Sequence, residues 1–146
     1  MIANHLYGPS YISLESALSF YKLIPERVFV TRSITTKRSK VFKTKLGDFD
    51  YIQLDSSYFS IGVRQEIVDN QYAFLIATPE KAICDLIVST SGLRIQSLKA
   101  IKSYLEEDLR IDFSVLGNID LEIIRECILK GKKKTELIHL LKYFEK

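Results

Sequence analysis

The run Ile76-Ala77-Thr78-Pro79-Glu80 limits the folds open to this chain, because it marks where a strand must stop and a helix begin. Thr78 is a good N-cap, since its hydroxyl can accept from a free amide of the first turn. Pro79 suits the first helical position, where no amide is needed, and Glu80 complements the helix dipole. The spacing predicts a helix to about Ser89, with Ala82, Ile83, Leu86 and Ile87 as one stripe and Ser91-Gly92 at its end. Apolar residues recur mostly every second position before this run and every third or fourth after it. The expected class is therefore α+β. A mostly antiparallel sheet in the N-terminal half packs with helices, and the C-terminal half is helical.

Ser13 opens a short helix through about Tyr21, its hydroxyl placed to cap the free amides and Pro25 punctuating its end. Strands are predicted over Arg27–Ser33, Ser39–Leu46 and Phe49–Leu54, with Thr35–Arg38 as a polar link and Gly47-Asp48 as a tight reversal. Asp55-Ser56-Ser57 reads as a loop. Ile61–Val68 and Tyr72–Ala77 flank Asp69-Asn70, which tolerate the positive φ of a hairpin turn. Three helical patterns follow. Leu98, Ile101, Tyr104 and Leu105 form one stripe; Leu121, Ile124 and Ile128, capped by Asn118 or Asp120, form another. After Gly131, residues Lys132–Phe144 present Leu137, Leu140, Leu141 and Phe144 on one side. Residues 1–146 read as one domain, with a mixed core over 1–92 and a helical part over 93–146 that could be semi-independent.

Charge is unevenly placed. The net value is only +3, yet Lys22 to Lys45 holds eight cations and one anion, leaving 13 cations against 17 anions elsewhere. Period two along the second strand puts Val41, Lys43 and Lys45 on one side and Lys40, Phe42 and Thr44 on the other. With Arg32, Lys37 and Arg38 nearby, these cations suit a polyanion-binding patch acting by counterion release. They equally suit an edge strand guarded against aggregation. Lys132-Lys133-Lys134 is a second run, at the start of a helix whose dipole it opposes.

Catalytic signals are sparse. His5 and His139 are the only histidines, and neither neighbours an obvious nucleophile. Cys84 and Cys127 have no CxxC partner, so neither a zinc site nor a disulfide framework is indicated, and a reduced interior is the simpler setting. Phosphate-cradling glycine motifs are absent. A metal-dependent nuclease would need clustered carboxylates; Asp48, Asp50 and Glu66 are the candidates, with Asp55 and Glu80-Lys81 also weighed. A protein-interaction module with no nucleic-acid role is a further alternative. No signal peptide or membrane-spanning run is found, so a cytoplasmic location is expected.

One longer pattern goes beyond these local rules. Ala3-Asn4-His5-Leu6-Tyr7-Gly8-Pro9-Ser10-Tyr11-Ile12-Ser13-Leu14-Glu15-Ser16-Ala17-Leu18, then Leu23-Ile24-Pro25-Glu26, resembles the AbiEi antitoxin family of type IV toxin–antitoxin systems. The resemblance continues through Thr35-Thr36-Lys37-Arg38, the Gly47 hairpin, and Ile76-Ala77-Thr78-Pro79-Glu80-Lys81-Ala82 with Asp85-Leu86. It implies a bacterial, non-enzymatic antitoxin that needs no cofactor or metal and counters a nucleotidyltransferase-like toxin without a stable complex. Family members act in phage defence and repress their own operon, usually through an N-terminal winged helix that binds DNA. This chain corresponds to the domain that follows that winged helix. It is thus expected to supply the antitoxin function, as a fragment or a short member, while sequence-specific repression is not expected of it alone. By the same resemblance, Lys37, Arg38 and Lys40 match a family region open to nucleic-acid contact. Tyr7, Tyr11, Glu15, Thr78, Pro79 and Glu80 match motif positions with a structural or partner-contact role. No oligomeric state follows from the sequence.

Overall fold

A three-residue strand at the centre of one six-stranded sheet organises the chain in the computed structural model, which describes residues 2–26 and 28–145. In order, the elements begin with α1 (Ala3–Leu6), β1 (Ser10–Ile12), α2 (Leu14–Phe20), β2 (Val30–Thr35), β3 (Lys40–Thr44) and β4 (Gly47–Gln53). Then come α3 (Ser56–Phe59), β5 (Val63–Val68), β6 (Tyr72–Ala77) and α4 (Pro79–Ser89). The last part holds α5 (Leu98–Ser103), α6 (Phe113–Leu116), α7 (Leu121–Lys130) and α8 (Lys134–Phe144). Beyond α5 the chain widens into a π-helical turn, Tyr104–Asp108, where the Leu109 amide donates to the Tyr104 carbonyl.

Strand order is β3-β4-β2-β1-β6-β5. The pairs β1–β2, β3–β4 and β5–β6 are antiparallel, and β2–β4 and β1–β6 are parallel. The sheet is therefore mixed and mostly antiparallel, in an α+β fold. All three residues of β1 are buried. With no exposed face it has no polar alternation, and so leaves no period-two signal. Asn4 completes its pairing to β6: its side chain accepts from the Leu75 amide at 2.7 Å, where a strand would otherwise have to bond.

Several boundaries differ from the sequence expectation. β2 starts at Val30; the expected start, Arg27, lies outside the described residues. The β3–β4 hairpin turns at Lys45-Leu46, two residues before the expected Gly47-Asp48, because Thr44 pairs with Gly47 and its hydroxyl bonds both Gly47 O and the Leu46 amide. Lys45 is consequently a turn residue. The Asp55 loop contains α3. Helix α8 begins at Lys134, after Lys133 adopts a left-handed conformation. Asp120, not Asn118, caps α7 by accepting from the Glu122 amide.

Other local rules operate as the sequence indicates. Thr78 accepts from the Lys81 amide at 3.2 Å with Pro79 next in line. Asp69 and Asn70 both adopt positive φ in the β5–β6 turn. Helix α4 is the structural axis of the molecule: every residue from Glu80 to Ile87 is buried. It packs on α2, α7 and α8, so Ile124 and Cys127 of α7 and Leu137 and Leu140 of α8 join one core with Tyr11, Ile34 and Tyr51 from the sheet.

Candidate nucleic-acid interface and the cluster beneath it

A helix buried on all sides should be apolar, yet α4 carries Lys81 and Asp85 one turn apart, both fully sealed. Their charged groups lie 3.8 Å apart, and neighbouring elements supply the rest of their bonding. The Lys81 ammonium donates to the Tyr11 hydroxyl at 2.9 Å, to Tyr58 O at 3.0 Å and to Phe59 O at 3.2 Å. Its Nζ also sits 4.3 Å from the Tyr58 ring centroid, a distance suited to cation–π attraction. Asp85 Oδ2 accepts from Tyr11 at 2.8 Å and from Ser13 at 2.6 Å. Ser13 spends its hydroxyl here and does not cap α2, a correction to the sequence reading. Tyr58 lies close enough to favour the Asp85 carboxylate, though its hydroxyl and Asp85 Oδ1 fall short of hydrogen-bond geometry.

Burial works against both charges. It raises the Asp85 carboxyl above its usual range, opposed by Lys81 and then by the Ser13, Tyr11 and Tyr58 hydroxyls. It also lowers the Lys81 ammonium, against the pull of Asp85. Desolvation thus exceeds what the pair returns in attraction. Sealed from solvent, the cluster joins α2's start, α3 and the sheet to α4. Tyr11, Ser13, Lys81 and Asp85 all fall in the resemblance segments, but nothing local in the sequence joins them. A Lys–Asp pair four apart inside an apolar helix is the available signal.

The motif positions are equally structural. Glu80 is buried and its Oε2 accepts from the Asp120 amide at 2.8 Å, tying the start of α4 to the cap of α7. Glu15 pairs with Arg32 at 2.6 Å, and Asp50 meets the same guanidinium at 3.3 Å. Arg32 is therefore neutralised on both sides and leaves the candidate patch. Tyr7 packs edge-on to Tyr51 with centroids 5.2 Å apart and donates to Arg38 O at 2.9 Å.

Above Tyr7 the cations gather. Lys37 Nζ lies 5.3 Å from its ring centroid and Lys40 Nζ 5.7 Å, with Lys40 also 4.9 Å from Phe42. Lys37, Arg38, Lys40, Lys43 and Lys45 are all exposed. Lys43 stands opposite Asp48 in the β3–β4 register, on the other strand face from Lys40. The basic surface therefore wraps the edge of the sheet: Lys37 and Lys40 on the Tyr7 side, Lys43 on the reverse, Lys45 at the turn beside Leu46, which is 78% exposed. Phe42 and Phe49 serve packing, and Phe49 is buried.

The carboxylates weighed for a nuclease do not converge. Asp48 and Asp50 lie on β4 and Glu66 on β5, with β2, β1 and β6 between them, or about 19 Å at ordinary strand spacing. Among the described residues no three His, Cys, Asp or Glu side chains are grouped to hold a metal ion. His139 bonds to Thr135 O on its own helix. No helix among the described residues is long and apolar enough to cross a membrane.

The second basic run divides by role. Lys133 donates to Thr90 O and Leu93 O beyond the end of α4, and Lys134 to Ile128 O and Leu129 O at the end of α7. These two ammoniums bond carbonyls at or just beyond helix C-termini and complement the negative dipole ends there, so Lys133 and Lys134 serve the preceding helices.

Comparison with known proteins adds no relative: no family model, no curated protein and no solved structure matches the chain.

Proposed function

We propose that this chain is the antitoxin domain of an AbiEi-like type IV toxin–antitoxin system. It acts without catalysis or cofactor against a nucleotidyltransferase-like toxin in the cytoplasm. The observation that carries the reading is the meeting of its two resemblance segments. Tyr11 and Ser13 from the first bond directly to Lys81 and Asp85 from the second, so the pattern describes one physical unit. The exposed Lys37, Arg38, Lys40 and Lys43 support an auxiliary contact to nucleic acid that assists repression. That contact reads phosphates and not sequence, because it consists of flexible cations with no base-reading element beside them.

Co-expression with the nucleotidyltransferase-like toxin of the same operon tests the reading. Restored growth is the expected result. Continued growth arrest in the presence of soluble, folded chain overturns the antitoxin assignment.

A further inference from the structure

Where the C-terminal ends of α4 and α7 approach the exit of β4, a cleft of about 590 Å³ opens beside the basic segment. Its volume falls within the range of small-molecule sites, roughly 300–1,000 Å³. The chemistry of its walls is asymmetric. Lys130 and Lys132 come from the end of α7, both exposed and with no hydrogen bond or ion pair among the described residues. They differ in this from Lys133 and Lys134, which helix carbonyls occupy. From the start of α3 come its N-cap Asp55 and Ser56, and from the end of α4 comes Ser89. Ile52, Leu54 and Val88 supply apolar lining.

Gly131 holds the two lysines at this position. A Cβ there would lie 2.8 Å from Tyr58 Cε1 and 2.7 Å from Cys127 O. Only glycine lets the chain leave α7 in contact with Tyr58, and its two neighbours are thereby set on the cleft wall. Thr36, next to Lys37 in the basic link, also lines the cleft.

We infer that this cleft binds a phosphorylated nucleoside, with Lys130 and Lys132 holding the phosphate. Asp55 accepts from ribose hydroxyls, as carboxylates do in dinucleotide sites, and the base lies along Ile52, Leu54 and Val88. The lining combines two unpartnered cations, one carboxylate and three apolar side chains, matching the anionic, hydroxylated and flat parts of such a ligand. The source is a free ribonucleotide or the 5′-terminal nucleotide of an RNA strand, and phosphate, ribose 2′-hydroxyl and base are shared by both. The inference goes beyond the antitoxin reading and does not depend on it.

Adenosine 5′-monophosphate is the probe, followed by amide NMR shifts on the full chain. Saturable shifts at Ser56, Ser89 and Gly131 are expected, with adenosine binding at least tenfold more weakly. Changing Lys130→Ala and Lys132→Ala together weakens the nucleotide at least tenfold with an unchanged melting temperature, since both side chains are exposed and unpaired. Asp55→Asn weakens it severalfold. A 5′-phosphorylated oligoriboadenylate, whose first nucleotide keeps its ribose 2′-hydroxyl, identifies a strand end as the source if it displaces the nucleotide, and failure to displace identifies the free nucleotide. Absence of shifts at millimolar nucleotide, or equal affinity in the double-lysine variant, overturns the inference. Neither result touches growth rescue, which tests the antitoxin reading separately.

Discussion

Tyr11 and Asp85, 74 positions apart, share a 2.8 Å hydrogen bond in a region closed to solvent. That bond couples the central strand to the buried helix α4, and the Lys81 ammonium bonds to the same Tyr11 oxygen. The cluster specifies how the two segments meet, because Tyr11 and Ser13 from the first both donate to Asp85 of the second. Its energetic balance is less favourable than its geometry, since both charges are shifted toward their neutral forms by burial.

Removing one charge and removing both should therefore differ. Lys81→Met leaves a buried carboxylate without its cation and is expected to cost about 3–5 kcal/mol, the usual penalty for breaking a buried pair. Lys81→Met combined with Asp85→Leu should be more stable than the single Lys81→Met variant. Urea denaturation measures both. A double variant less stable than the single one would contradict this account of the pair.

The same pair sets a pH dependence of definite sign. The folded-state pKa of Asp85 is raised, so its contribution to stability is fully present below the usual aspartate value near 3.8. It is lost as pH rises through the raised folded value. Without Lys81 the carboxyl rises further, so the deficit of Lys81→Met relative to wild type should grow between pH 4 and pH 7.5. Denaturant midpoints across that range are the measurement, and a constant or shrinking deficit counts against the assignment.

Within the second basic run, neighbours should behave differently. Lys133→Met removes charge-assisted bonds to Thr90 O and Leu93 O and is expected to cost about 1–2 kcal/mol. Lys132→Met touches no bonded group and should stay within about 0.5 kcal/mol of wild type. Equal effects on the denaturant midpoint would sink the distinction.

Legibility in the sequence follows how local each determinant is. The Thr78-Pro79-Glu80 helix start and the Asp69-Asn70 turn were readable because adjacent residues decide them. Strand β1 was not, since three residues buried on both faces carry no period. Nor was Ser13's true partner, because an N-cap hydroxyl and a core hydroxyl look alike until Asp85 arrives from 72 positions away. The basic segment was visible as charge, but its neutralisation at Arg32 depended on Glu15 and Asp50 meeting across strand and helix. Lys132 was hidden within a run that looked uniform, and only the capping bonds of Lys133 and Lys134 set it apart.

The contact with nucleic acid proposed for the exposed cations around Tyr7 has a direct test. Lys37, Arg38, Lys40 and Lys43 changed together to Ala provide the direct test, with DNA retention measured across a salt series. Wild type should show a steep loss of affinity with salt, and the variant a slope reduced by about 0.9 for each lost phosphate contact. Unchanged retention and slope in a variant that still folds would contradict it.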